Sequence, residues 1–328
     1  MTGAEPHFLA LVGPTASGKT DLSIAIARRV RAEVVSMDSR QVYRGMDIGT
    51  DKVTPEAMEG VPHHGLDLVA PDERYSAGHF GRDARRWIAE IRARESLPLL
   101  VGGTGFFLRA VTDPIFAEPE LDEGRLRRLR DYLREQPRER LATWVRRLDP
   151  ERAALAVEGG PQRMGRTLEV ALLTGRALSW WHRAAPAEAP GLPGAVVVLD
   201  LPRGEMDRRI DDRVTRMIER GLVAEVRGLL DEGYHTESPG MTGTGYREIV
   251  RHLRGEATLA EAMEEIRMNT RRYARRQMTW HRNQLSASAV RVDVGLTLGE
   301  QVERALRTFT AAGGRLTPRD EDAWEEGA

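Results

Sequence analysis

A glycine-rich loop pinned between a buried strand and a helix leaves a chain few folds to choose from, and this sequence carries one within its first thirty residues. Gly13-Pro14-Thr15-Ala16-Ser17-Gly18-Lys19-Thr20 is a full G-x-x-x-x-G-K-[ST] match. The apolar run Phe8 to Val12 ahead of it reads as a buried strand, and Thr20 to Val30 behind it reads as an amphipathic helix. Gly13 and Gly18 allow backbone geometry that side chains would block, so successive N–H groups and the helix N-terminus can turn toward one anion. Lys19 would neutralise an outer phosphate, and the Thr20 hydroxyl is placed to help hold Mg²⁺. The motif binds a diphosphate or triphosphate without saying which molecule carries it.

Lysine usage sharpens this reading. Of 49 Lys and Arg residues only Lys19 and Lys52 are lysine. A compact ammonium fits between phosphate oxygens inside a tight loop where a planar guanidinium does not. Lys52 is therefore a second candidate phosphate ligand, with chance placement as the competing explanation.

Further strands are expected at Val34 to Met37, Leu97 to Val101, Ala195 to Leu199 and Val290 to Val294, with helical segments between them. That alternation specifies an α/β fold, a P-loop core with a parallel sheet. Residues 115–190 lack a convincing strand and are rich in Arg, Leu and Ala, so they read as an inserted all-helical domain. The core is then discontinuous, residues 1–114 and 191–312. Residues 313–328, rich in Gly, Pro and acid, read as a disordered acidic tail. The absence of cysteine excludes disulfides, zinc–thiolate sites and cysteine nucleophiles. The first strand begins so early that no signal peptide is expected, and no apolar run nears the ~20 residues that span a bilayer. A cytoplasmic protein without membrane association is the expectation.

The formal net charge of −1 hides a segregated pattern. From Gly124 to Arg147 nine Arg stand against Asp131, Glu135 and Glu139, and Arg267 to Arg282 holds six Arg and no acid. Either stretch could be a solvated helix face. The second, in which Tyr273, Trp280 and His281 interleave with the cations, points more strongly to a polyanion.

In open α/β sheets ligands collect beyond the carboxyl ends of strands. Three such ends stand out: Asp38 after Val34 to Met37, Gly102-Gly103-Thr104-Gly105 after Leu97 to Val101, and Asp200 after Val196 to Leu199. For each acid an N-cap or turn role is the alternative, and whether Asp200 supports a metal stays open.

The P-loop, Val35 to Tyr43 and Met46-Asp47-Ile48-Gly49-Thr50 together resemble the bacterial tRNA dimethylallyltransferases (IPP transferase family). The resemblance runs on in order through His63-His64, Tyr75-Ser76-Ala77-Gly78, Gly102 to Gly105, Pro161-Gln162-Arg163, Gly245-Tyr246-Arg247 and Arg271 to Gln277. It spans nearly the whole chain. It implies a P-loop core with a helical insertion. The implied reaction moves a dimethylallyl group from its diphosphate to N6 of adenine 37, beside the anticodon in tRNA. Gly13 to Thr20 with Lys19, Lys52 and Arg213 would hold the diphosphate, Mg²⁺ being held through Thr20; for Arg213 a structural ion pair with nearby acids is the competing role. Asp38 would act as general base for a poorly nucleophilic exocyclic amine, assisted by Thr104. Asp38, Ser39, Arg40, Gln41 and Thr104 would read the extruded base. Gln162, Arg163, Met164, Gly165 and Arg166 in the insertion, Gly245-Tyr246-Arg247, and Arg275 and Arg276 would contact the tRNA anticodon stem-loop, Tyr246 by stacking on a base, with a core tyrosine as the alternative. A monomer is expected, since one chain supplies both halves of such a site. Two departures from the family pattern are Val53-Thr54-Pro55 after Lys52, where a proline usually follows directly, and Phe106-Phe107, where a tyrosine is common. A P-loop small-molecule kinase, or prenyl transfer to a free adenine nucleotide, are the competing enzyme readings, and a nucleotide-gated RNA-binding module the non-enzymatic one.

Overall fold

The computed structural model describes residues 5–116, 119, 121–184 and 187–319. The chain opens with β1 (Leu9–Val12), the P-loop and α1 (Lys19–Arg29), then β2 (Ala32–Ser36), α2 (Pro55–Met58) and β3 (His63–His64). Next come α3 (Ala77–Ala93), β4 (Leu97–Gly102) and α4 (Gly105–Thr112). A second compact unit, Pro114–Pro190, follows: β5 (Ile115–Phe116), α5 (Glu123–Arg134), α6 (Arg138–Leu148), α7 (Ala153–Glu158), α8 (Pro161–Thr174), α9 (Leu178–Ala184) and β6 (Ala187–Ala189). The first unit resumes with β7 (Ala195–Asp200), α10 (Arg203–Glu219), α11 (Leu222–Asp231), α12 (Tyr246–Leu253), α13 (Leu259–Gln284), β8 (Val290–Asp293) and α14 (Leu298–Ala311).

In the first unit six parallel strands run in the order β3-β2-β4-β1-β7-β8. The central strands are apolar on both faces because both faces are covered. Phe8, Ala10 and Val12 enter a core with Phe80, Ile88, Phe107 and Ile210. Leu9 and Leu11, one residue out of phase, pack with Leu22, Ile26, Val302 and Phe309 of α1 and α14. Burying a leucine side chain fully contributes about 2 kcal/mol, so the registers Leu9↔Leu99 and Leu11↔Val101 fix the sheet strongly. This stacking puts the carboxyl ends of β1, β2 and β4 side by side, with the P-loop, Asp38 and Gly102 to Thr104 just beyond them.

All five strands expected from the sequence are present. The sequence reading missed β3, and the second unit is not purely helical, because β5 and β6 pair antiparallel at its two ends. That unit has its own core of Leu133, Leu141, Val145, Met164 and Leu168. The expected disordered tail is also corrected. Thr317 O accepts from Arg31 N–H at 2.9 Å and Pro318 bridges to Val30, so the segment after α14 is placed, with residues 317–319 beside the end of α1. Residues 320–328 lie outside the described part. Among the described residues no helix is long and apolar enough to cross a membrane.

Candidate active site

The first unit holds a cavity of about 880 Å³, floored by Thr15 to Thr20 and walled by Asp38, Arg40, Gln41, Arg213, Arg276 and Gln277. Its lining carries many guanidinium groups and few acids, a field suited to an anionic occupant.

The P-loop turns as the sequence requires. Gly18 has φ 84°, a left-handed geometry that glycine adopts without strain, and α1 starts at Lys19 with its N-terminus facing the cavity. Lys19 Nζ donates to Pro14 O at 2.6 Å and to Gly13 O and Ser17 Oγ at 3.2 Å. Burial pushes its pKa down to about 8; the nearby Asp38 carboxylate works against this and Arg213 adds to it. A phosphate arriving beside Lys19 would favour its charged form and raise the pKa again. Arg213 closes over the loop, its Nη1 donating to Thr15 Oγ1 at 2.5 Å. Thr15 N–H is held by Gln277 Oε1 at 3.0 Å, which ties α13 to the P-loop. Thr20 is exposed on the first turn of α1.

Asp38, on the same cavity as the P-loop, follows β2. Its Oδ1 accepts from Arg40 N–H at 2.8 Å, and Ser39 N–H donates to Thr104 Oγ1 at 3.3 Å, so the ends of β2 and β4 share one hydrogen-bonded turn. Tyr273 of α13 lies beside Asp38 and Thr104, and its phenol is pushed up, first by burial and then by the Asp38 charge. Gln41 donates to Asp51 O at 3.2 Å and accepts from Ser36 Oγ at 3.0 Å, while Arg40 reaches Pro239 O at 2.8 Å. On α13, His281 is buried without a hydrogen-bond partner for either ring nitrogen, and burial, aided by the charges of Lys19 and Arg291, lowers its pKa to about 4.

Several expected contacts are corrected. Lys52 Nζ donates to Tyr43 O at 2.9 Å and to Asp47 and Asp67 carboxylates at 2.5 Å each. With three ammonium donors engaged, it is placed as a strut and not as a diphosphate ligand. Tyr246 is 1% exposed and its hydroxyl donates to Glu225 at 2.7 Å, so it packs in the core instead of stacking on a base. Met164 is buried in the core of the second unit. There, Gln162 and Arg163 are exposed on the first turn of α8, Gly165 has open space around it, and Arg166 lies 3.7 Å from Glu169. Arg275 turns to Asp207 of α10 at 3.8 Å, whereas Arg276 and Arg247 line the cavity. Asp200 is exposed, 3.9 Å from Arg291 and away from the cavity lining.

The sequence reading also missed Gln277 and Glu225. Gln277 had a local signal, a polar residue one turn beyond Tyr273 inside a run of cations, whereas Glu225 had none.

A P-loop and a carboxylate sharing one arginine-lined cavity define a class, α/β proteins that bind a phosphorylated ligand beside an acid able to take a proton. Within it, residues 41–284 match the IPP transferase family and residues 6–67 match the isopentenyl transferase family. The chain is 45% identical over 273 residues to a tRNA dimethylallyltransferase of Geobacter metallireducens, covering 82% of this chain and 87% of that one. It is 42% identical over 279 residues to that of Geobacillus thermodenitrificans, covering 85% and 88%. A crystal structure of a full-length tRNA isopentenylpyrophosphate transferase from Bacillus halodurans is similar in fold, with TM-score 0.67 and 34% identity over 94% of this chain and 98% of that one. The chain belongs to the IPP transferase family.

Proposed function

We propose that the protein transfers a dimethylallyl group from dimethylallyl diphosphate to N6 of adenine 37, next to the anticodon of tRNA, and releases diphosphate. The observation that carries this reading is that Asp38 and the P-loop line one cavity, with the Asp38 charge close enough to act on Lys19. A leaving diphosphate on Lys19 and Arg213 would have its allylic carbon turned toward an amine held at Asp38.

The donor set fits Mg²⁺ held chiefly by diphosphate oxygens. Thr20 offers a hydroxyl on the first turn of α1, no group of acids or histidines able to bind a metal by itself occurs among the described residues, and Mg²⁺ in such sites keeps few protein ligands. When bound, it would neutralise charge growing on the departing diphosphate. Lys19, the P-loop N–H groups and Arg213 stabilise the same charge. As the C–O bond of the allylic diphosphate breaks, the bond from N6 to the allylic carbon forms. The exocyclic amine becomes acidic only then, and Asp38 takes its proton late. Arg40 N–H on Asp38 Oδ1 and Thr104 on Ser39 N–H hold that carboxylate in place.

The target base must leave the stack to reach Asp38, which gives the cationic walls a purpose. Arg276 and Arg247 would meet the anticodon stem-loop, and Arg163, exposed on the second unit, would add to them. One chain carries both halves of the site, in keeping with a monomer. A small-molecule kinase would share the P-loop but leaves these arginines without a role.

The test is to incubate labelled dimethylallyl diphosphate and Mg²⁺ with unmodified tRNA, with AMP, and with ATP alone. Label in tRNA only is expected. Label in AMP, or hydrolysis of ATP without transfer, would overturn the reading.

A further inference from the structure

We infer that Glu225 is a positioning residue for the diphosphate half of the site, aiming Arg213 through the loop that faces the P-loop. The inference rests on the function proposed above. Glu225 Oε2 accepts from Asp47 N–H at 3.0 Å and Ile48 N–H at 2.6 Å, and Oε1 accepts from Gly49 N–H at 3.0 Å and Tyr246 Oη at 2.7 Å. Three successive backbone N–H groups converging on one anion form a nest, here filled by a side chain 176 residues distant from Gly49.

The consequence lies one residue further on. Thr50 O accepts from Arg213 Nη2 at 3.3 Å, and the Asp51 carboxylate stands 3.4 Å from Arg213 Nε. The remaining Arg213 nitrogen reaches Thr15 of the P-loop. The guanidinium is thus oriented by two atoms of the loop that Glu225 fastens. Gly49 completes the device, since a Cβ there would come within 2.5 Å of the Tyr246 ring. The loop can seat on Tyr246 only without a side chain at that position. Glu225 touches no reacting atom, and its effect on the diphosphate passes through Arg213.

Glu225→Gln keeps the shape but leaves one acceptor oxygen and presents an amide N–H donor to N–H groups that need an acceptor. The buried carboxylate Glu33, bound by Arg94 at 2.8 and 2.9 Å and by His64 at 2.8 Å, lies away from the cavity and serves as the control for simple loss of stability. Affinity for inorganic diphosphate with Mg²⁺ is measured by calorimetry on the full chain, in wild type, E225Q and E33Q, each verified as folded by near-ultraviolet circular dichroism. E225Q is expected to weaken diphosphate binding roughly tenfold, the loss of about one charged hydrogen bond. The KM for the allylic diphosphate should rise by a like factor while kcat at saturation changes little. E33Q should bind within about twofold of wild type, as its neighbours form no part of the loop. Should E225Q not fold, E225D, with the same charge and a shorter reach, is measured with the same two outcomes. Wild-type affinity in the Glu225 variant, or equal weakening in E33Q, would overturn the inference alone. Absence of diphosphate binding in wild type would overturn the proposed function with it.

Discussion

The two lysines of this chain sit in loops that face each other and are used in opposite ways. In the P-loop, Lys19 bonds only carbonyl and hydroxyl oxygens of its own loop, and its pKa is pushed down to about 8. In the facing loop, Lys52 is locked between Asp47 and Asp67, and the backbone N–H groups of residues 47–49 are already filled by Glu225. One loop keeps its cation poised for an anion that comes and goes. The other has built its anions in, and so becomes rigid enough to orient Arg213 and Gln41. A lysine inside a glycine-containing loop therefore does not by itself mean a phosphate site. The number of carboxylates within reach decides.

The largest effect that would test this contrast is on Lys19. Lys19→Met should weaken diphosphate binding about a hundredfold, the loss of a desolvated charged contact, while the unfolding midpoint in urea stays near wild type. A smaller effect comes from pH. Because the lowered pKa leaves Lys19 neutral as pH rises through about 8, diphosphate affinity should be flat below that value. Above it, affinity should fall by up to about tenfold per pH unit, a dependence that titration calorimetry from pH 6.5 to 9.5 would reveal and that Lys19→Met should lack. Lys52→Met should act on stability instead, by about 1–2 kcal/mol in urea unfolding. The effect is small because the freed Asp47 and Asp67, both largely exposed, can rehydrate. Its diphosphate affinity should stay within about fivefold of wild type. A Lys52 variant that lost diphosphate binding as Lys19→Met does would erase the distinction between the loops.

The smallest effect extends the comparison to the cations of α13. Arg267, Arg271 and Arg275 turn toward Thr215, Asp211 and Asp207 of α10 at matching four-residue steps, whereas Arg276 lines the cavity. Arg276→Glu should weaken binding of an anticodon stem-loop RNA about tenfold at low salt and reduce the salt slope. Arg275→Glu should change it about threefold, measured by fluorescence anisotropy.

What could be read from the sequence follows from how local its cause is. The strands from Leu9 to Val12 and from Leu97 to Gly102 announced themselves because both faces are buried and every residue is apolar or small. The P-loop did so because its geometry is written in eight consecutive residues. The strand His63–His64 did not, being two polar residues held by pairing with Val34 and Val35. The site divided in the same way. Asp38 and Thr104 were legible as strand-end residues. The fates of Lys52, Tyr246 and Arg275 were not, because each is set by acids distant in sequence: Asp67, Glu225 and Asp207. Register also mattered for Arg275 and Arg276, where one residue of helical rotation separates an ion pair with α10 from a place on the cavity wall.

The measurement that bears most directly on the central claim is a single-turnover transfer assay on an unmodified anticodon stem-loop with labelled dimethylallyl diphosphate. Wild type and Asp38→Asn are run side by side, and the modified nucleoside is identified after digestion. The account predicts label on N6 of adenine 37 in wild type, and a rate at least about a hundredfold lower in the variant, with RNA and diphosphate affinities nearly unchanged. Label on another atom, or a variant that transfers at the wild-type rate, would contradict the assignment of Asp38 and of the cavity it faces.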